Sequence, residues 1–340
     1  MSNDFPTTYW HVLKDGRLQC DLCPNACKLK EEQRGICFLR QRKNNQIVLT
    51  HYGEVSGIAI DPIEKKPLYH FMPGSRALSF GTIGCNLKCK FCQNWNISEA
   101  TDDSLLSQTV TPETMARLAV QHQCQSVAFT YNEPIITLEY TVNASKACHE
   151  LGIKTIAVTN GYICPNPRKD FFEHIDAAHV DLKSFNEDFY RKITGSKLQP
   201  ILDTLVYLKQ QTNVWLEITT LIIPGFNDDE KEIDLMTRWI HENLGDDVPL
   251  HFTAFHPCHK MQNVIPTPIE SLIRAREIAL KNGLHYVYIG NLLHLEGHQT
   301  YCKKCGKIII ERQGIALIGT HIIDGACAFC HTRFDGKIFG

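Results

Sequence analysis

What this 340-residue chain lacks narrows its function first. Its formal charge is only −2, so it has no general basic field of the kind that draws a protein onto nucleic acid. No stripe of interleaved aromatic and basic residues supports single-strand binding either. No apolar run approaches the roughly 20 residues that cross a bilayer. Met1 to Trp10 lack the basic-then-apolar layout of a secretory leader, which leads us to expect a cytoplasmic protein. Residues 1–75 show no sustained periodicity of either kind. Cysteine, by contrast, is abundant. Fifteen cysteines without an export signal argue for metal ligands rather than disulfides. The 43% hydrophobic content supports one large core with one or two small appendages.

Eleven of the cysteines fall into three groups. The central group, Cys85, Cys89 and Cys92, is spaced C-x3-C-x2-C within Gly84–Trp95, just after the strand-like run Ala77–Ile83. Thiolates are soft ligands suited to iron–sulfur clusters or zinc. A [4Fe-4S] cube usually takes four cysteines, so a three-cysteine loop leaves one iron open to a small molecule. The alternative is a zinc site completed by a distant residue. The N-terminal group is Cys20, Cys23, Cys27 and Cys37, with turn residues between the ligands. Four thiolates so close in sequence can close a site unaided, and zinc and a second cluster both fit. Nothing nearby in the sequence looks like an electron path, which favours structural zinc. The C-terminal group, Cys302, Cys305, Cys327 and Cys330, forms two C-x2-C knuckles flanking β-type runs such as Lys307–Glu311. That is the spacing of a closed zinc ribbon, and a unit so small scarcely folds without its metal. Cys124, Cys148, Cys164 and Cys258 stand alone and read as small buried hydrophobes.

From about residue 76 the pattern turns to strand–helix alternation. Strand-like runs lie at Ala77–Ile83, Ser126–Thr130, Lys154–Thr159, Ala177–Leu182, Val214–Ile223, Leu250–Phe255 and Tyr286–Ile289. Helical segments start at Thr111-Pro112 and run near Ile136–Leu151, Ile201–Gln211, Asp229–Asn243 and Pro268–Asn282. Apolar strands separated by amphipathic helices imply parallel βαβ units. The expectation is an α/β fold: a partial (β/α)6-type TIM barrel over 76–295, a small cysteine-rich N-terminal region over 1–75, and a zinc-ribbon-like unit over 296–340. The charged segment Asp61–Leu68 reads as a solvated loop before the barrel, with a lid or phosphate-facing rim over the cluster as the alternative.

In such folds ligands sit at the C-terminal ends of the strands. Those ends carry Tyr131-Asn132-Glu133-Pro134, Asn160-Gly161-Tyr162, Asp181-Leu182-Lys183, Pro224 to Asp228, His256-Pro257 and Gly290-Asn291. Each alone reads as turn chemistry. Six at the same end as the three-cysteine loop read as the walls of a site.

With these residues in view, Gly84–Trp95 resembles the cluster loop of the radical S-adenosylmethionine (SAM) superfamily. The N-terminal knuckle, Asp61–Pro67, Cys92-Gln93-Asn94-Trp95, Tyr131 to Pro134, Phe255-His256-Pro257 and the C-terminal ribbon together resemble the radical SAM enzyme of the AmmeMemoRadiSam system, a relative of the glycyl-radical-enzyme activases. The resemblance implies that Cys85, Cys89 and Cys92 hold a [4Fe-4S] cluster that cleaves SAM to a 5′-deoxyadenosyl radical. It implies an electron donor such as flavodoxin or ferredoxin, and Memo-type and AMMECR-type partner proteins. Glu133 stands where the activases place Gly-Gly-Glu-Pro, suited to the ammonium of SAM, although Tyr131 and Asn132 replace the two glycines. Asn160, Asp181 and Lys183 are expected at the carboxylate and ribose, and His256 resembles a SAM-facing histidine. The competing functions are a glycyl-radical activase proper and a non-catalytic zinc-stabilised binding module.

Overall fold

A computed structural model describes residues 4–102, 104–105 and 108–338. Its centre is one sheet of eight strands: β1 (Gly57–Pro62), β2 (Arg76–Gly81), β3 (Ser126–Phe129), β4 (Lys154–Thr159), β5 (Ala177–Asp181), β6 (Trp215–Ile222), β7 (Leu250–Ala254) and β8 (Val287–Gly290). They lie side by side in sequence order, with β1 and β8 at opposite ends, so the barrel stays open. Strands β2 to β8 are all parallel, and only β1 runs antiparallel, against β2. All seven expected strands thus form. Every residue of β3 and β7 is buried, as parallel strands covered on both faces require.

The crossover helices are α1 (Pro112–Gln121), α2 (Leu138–Glu150), α3 (Pro165–Phe172), α4 (Gln199–Gln211), α5 (Glu230–Leu244) and α6 (Ile269–Lys281). Their starts obey local chemistry. Thr111 caps α1 by accepting from the N–H of Thr114, and Asp229 caps α5 by accepting from Lys231 and Glu232. Helix α3 was not expected from its two prolines. Both sit in its first turn, where no intrahelical donor is needed, and Phe171 and Phe172 bury its far end.

The segment Asp61–Leu68 is not the solvated loop expected. Strand β1 is the sheet's edge, and Asp61, Glu64, Lys66 and Leu68 are buried. The charges go inside because each finds a partner. Asp61 takes the ammonium groups of Lys65 at 2.8 Å and Lys66 at 2.7 Å. Glu64 accepts from the N–H of Gly74 and lies 3.6 Å from Arg312.

Ahead of the sheet, short antiparallel strands carry the N-terminal cysteines. Leu18–Cys20 pairs with Trp10–Val12 and Lys28–Leu29, and Arg40–Lys43 pairs with Gln46–Leu49. At the other end, β9 (Thr300–Tyr301), β10 (Ile308–Gln313) and β11 (Ala316–Thr320) form a three-stranded antiparallel unit. It is fastened by fully buried Arg312, which donates to the Tyr69 carbonyl and Thr300 Oγ1 and lies over the Tyr69 ring. No helix of the described residues is long and apolar enough to cross a membrane.

Candidate active site

A cavity of about 480 Å³ opens at the C-terminal ends of the parallel strands, in the size range of a small-molecule site. It is lined by Cys85, Cys89 and Cys92 together with Glu133, Asn160, Asp181 and Lys183. A larger space of about 1050 Å³ lies at the opposite end, beside Lys154, Asp176 and Val214, where β4 to β6 begin. We place the chemistry in the smaller one, because it holds the thiols and occupies the functional end of the fold. His256 is exposed after β7 and is not among the cavity's lining residues. Its chain leaves the sheet at Phe255, whose own side chain turns into the core. Cys258 packs instead of facing the cavity, with its thiol donating to the Cys92 carbonyl at 3.4 Å.

The cysteine loop is held at both ends by the turn after β3. Asn132 donates from Nδ2 to Thr82 Oγ1 (2.8 Å) and to the Gly84 carbonyl (2.9 Å), and it accepts from the Thr82 N–H. Asn94 donates to the Tyr131 carbonyl at 2.7 Å. Tyr131 itself has φ 72°, the left-handed region that glycine favours. Its hydroxyl donates to Asp61 Oδ2 at 2.8 Å, and its ring lies 4.7 Å from the Lys66 ammonium. Asp61, Lys66 and Tyr131 were not foreseen as a unit, since the residues sit 70 positions apart.

The thiols are surrounded by donors. Cys85 Sγ accepts from the Leu87 N–H at 3.4 Å and from Asn160 Nδ2 at 3.9 Å. Asn160 is fixed in turn by donating to Asn86 Oδ1 at 2.8 Å. The Ser98 hydroxyl and the Asn94 N–H approach Cys92. Burial raises all three thiols, Cys89 to about 12, although Lys183 opposes it there. Such thiols ionise when a metal displaces the proton. Donors on sulfur and a shared cavity therefore suit this trio to a cluster.

Glu133 is buried and accepts three bonds: from the Ile135 N–H (3.0 Å) and Thr159 Oγ1 (2.6 Å) on Oε1, and from the Asn160 N–H (2.8 Å) on Oε2. Burial still outweighs these donors and raises its carboxyl to about 7. Asp181 and Lys183 are paired at 2.7 Å. Burial opposes both charges, and each outweighs it for the other, leaving the carboxyl below and the ammonium above their ordinary values.

The C-terminal tetrad comes together as well. The sulfurs of Cys302, Cys305, Cys327 and Cys330 all lie within 4.8 Å of one another, with Cys302–Cys330 at 3.5 Å and Cys305–Cys327 at 3.8 Å. Four thiolates about 2.3 Å from one tetrahedral ion stand about 3.8 Å apart, so this cluster fits a single metal ion.

Comparison with known proteins gives the family. Residues 80–236 match the radical SAM superfamily. An uncharacterised protein of Methanocaldococcus jannaschii is 38% identical over 329 residues, 96% of this chain and 98% of that one. The pyruvate formate-lyase 1-activating enzyme of Escherichia coli is 24% identical over 230 residues, 62% of this chain and 91% of that enzyme. In fold, the chain resembles Streptococcus suis SuiB bound to S-adenosylmethionine, with a TM-score of 0.51 and 15% identity over 67% of this chain and 53% of that one. A [4Fe-4S] cluster and SAM are the cofactors that such membership implies. The chain belongs to the radical SAM superfamily and is related to the glycyl-radical-enzyme activating enzymes.

Proposed function

We propose that Cys85, Cys89 and Cys92 hold the cluster, that SAM binds beside it, and that the chain abstracts hydrogen from a protein or metabolite in an AmmeMemoRadiSam-type system. The supporting observation is that the three thiols and Glu133, Asn160, Asp181 and Lys183 line one cavity at the C-terminal strand ends. The bound cofactors supply reductive cleavage of the sulfonium S–C5′ bond, giving methionine and a 5′-deoxyadenosyl radical.

The chain's own residues bind and orient. Lys66 is committed to Asp61 and Lys183 to Asp181. Glu133 takes only hydrogen bonds from the groups above, and burial, with the Asp181 carboxylate adding to it, raises its carboxyl to about 7. An arriving ammonium is what such a carboxylate needs to ionise, and Oε2, with a single donor in place, has room for it. Asp181 can accept from ribose hydroxyls, and Lys183 can donate to a carboxylate. Leu87, Phe91, Val158 and Leu221 supply apolar parts of the wall and limit the access of water to a reactive radical there. His256 has no part in this scheme. The C-terminal tetrad is assigned to structural zinc.

Replacing Cys85, Cys89 and Cys92 by alanine is expected to abolish formation of 5′-deoxyadenosine while the terminal cysteine sites keep their metals. Undiminished cleavage in that variant refutes the assignment. The relation to the pyruvate formate-lyase activating enzyme favours a second reading, in which the substrate is a glycine of a partner enzyme. Incubation with a co-encoded lyase then gives a protein radical by electron paramagnetic resonance, and its absence with every such lyase eliminates that reading.

A further inference from the structure

We propose that the N-terminal tetrad, Cys20, Cys23, Cys27 and Cys37, holds a second iron–sulfur cluster that passes electrons to the one at Cys85, Cys89 and Cys92. The relay rests on the reading of the central loop given above.

The first observation is spacing. Among the described residues, the C-terminal tetrad is the one group of three or more cysteine, histidine or acidic ligand atoms gathered within 4.8 Å. The N-terminal thiols nevertheless converge. The Cys20 N–H donates to the Cys27 carbonyl at 2.9 Å, and Cys27 Sγ lies 3.6 Å from where a Cβ on Gly35, two residues before Cys37, would stand. Four cysteines of one knuckle whose sulfurs do not all close within 4.8 Å leave room for a larger object than a single tetrahedral ion, whose ligands stand about 3.8 Å apart. The sulfurs of the central trio likewise do not all lie within 4.8 Å of one another.

The second observation is the supply of donors to sulfur. Backbone N–H groups approach three of the four thiols: Leu22 at Cys20, Asn25 at Cys23, and Leu39 and Arg40 at Cys37. Buried Arg40 also sets a positive charge near Cys20 and Cys37. Hydrogen bonds and charge at the sulfurs are what tune a cluster's potential.

The third observation is the seat. The Cys37 carbonyl presses on Gly84, so closely that a Cβ there would lie 2.0 Å from the oxygen. Gly84 immediately precedes Cys85. Asn25, between Cys23 and Cys27, donates to the Asn86 carbonyl at 2.6 Å. A stabilising ion has no need of such a position, whereas an electron carrier does. Cys27 is half-buried, which gives the tetrad an outer side. One electron enters there from a low-potential one-electron carrier protein of the ferredoxin or flavodoxin class, reduces the N-terminal cluster and moves on to the central one. No bond or proton changes hands.

The test is anaerobic reconstitution of the full chain and of the C85A/C89A/C92A variant with iron and sulfide. The variant is expected to keep about four iron and four sulfide per chain, about half the wild-type content, and to show a reduced-cluster resonance with dithionite. Zinc without iron and sulfide at the N-terminal site overturns the proposal. Full wild-type iron in the variant overturns the central-loop reading and the relay with it. In a Cys20→Ser/Cys37→Ser variant that keeps the central iron, SAM cleavage driven by reduced flavodoxin is expected to fall severalfold further than cleavage driven by dithionite. Equal responses to the two reductants overturn the relay.

Discussion

Gly84 allows the contact between the N-terminal knuckle and the cysteine loop to be weighed directly. Its φ is +81°, and an added Cβ would meet the Cys37 carbonyl oxygen at 2.0 Å and its carbon at 3.1 Å. Gly84→Ala therefore carries two costs. Holding an L-residue in the left-handed region costs about 1–2 kcal/mol. Real Cβ contacts essentially never fall below 3.0 Å, so the carbonyl, which is backbone and cannot swing aside, must retreat by about an ångström. Overpacking of this kind costs about 1–3 kcal/mol more. The sum is about 2–5 kcal/mol. Gly152, just beyond α2, supplies the control: its φ is +72° and an added Cβ would find nothing within 4 Å. Gly152→Ala should therefore show only the first cost, about 1–2 kcal/mol. Urea unfolding of identically reconstituted anaerobic samples measures both, provided the slope with denaturant is unchanged. The Gly84 variant should also bind less iron, since Cys85 moves with its neighbour. Equal destabilisation by the two substitutions, with full iron in both, refutes the claim that Cys37 and Gly84 are pressed together.

Two further perturbations test how the appendages are joined to the core. Arg40 forms a bidentate pair with Glu139 of α2 at 2.8 and 2.6 Å, with both side chains buried. Arg40→Met strands a buried carboxylate and should cost about 3–5 kcal/mol in urea unfolding, while adding Glu139→Leu should recover much of the loss. A double variant as unstable as the single one contradicts this. His70 donates from Nδ1 to the Asp335 carbonyl and accepts the Tyr288 hydroxyl at Nε2, the pattern of a neutral ring. Burial lowers its pKa from 6.5 to about 4. The unfolded chain therefore takes up a proton below 6.5 that the folded chain refuses until about 4. The stabilisation is complete above pH 6.5 and is lost as the pH falls towards 4, by about 3 kcal/mol. His70→Gln should flatten the stability profile across that window, and identical profiles count against the assignment.

Local signals carried most of the sheet and half of the site. Apolar runs bounded by turn residues marked β2 to β8, because a parallel strand covered on both faces needs no long-range information to declare itself. The strand-end residues Glu133, Asn160, Asp181 and Lys183 followed from the rule that parallel strands present ligands at one end. What stayed hidden depends on folding back. The Asp61–Lys66 pair is local, but its burial is completed by Tyr131, 70 residues from Asp61, whose hydroxyl bonds the carboxylate and whose ring lies by the ammonium, and no local pattern records that third partner. Helix α3 was masked by prolines that are harmless in a first turn. His256 follows a strand, as the lining residues do, yet the chain turns it outward. The seat of Cys37 on Gly84 was also invisible, although a glycine directly before the first cysteine of the central loop was its one clue.

Tyr131 and Asn132, which by the resemblance to the activases fall where those enzymes carry glycines, bear on how the loop is held. Glycines at these positions give the backbone freedom and nothing else. Here Tyr131 keeps the glycine-like conformation at φ 72°, a strained choice for an aromatic residue, so its surroundings must hold it there. They do so through the Tyr131 hydroxyl on Asp61 and the ring over Lys66. Asn132 uses its whole amide on Thr82 and Gly84, at the entrance to the cysteine loop. The two side chains thus convert a flexible turn into a brace between β1, β3 and the cluster loop. That brace fixes Cys85 from one side while Cys37 fixes Gly84 from the other. A loop confined from both sides can present three thiols to one cavity before any metal arrives.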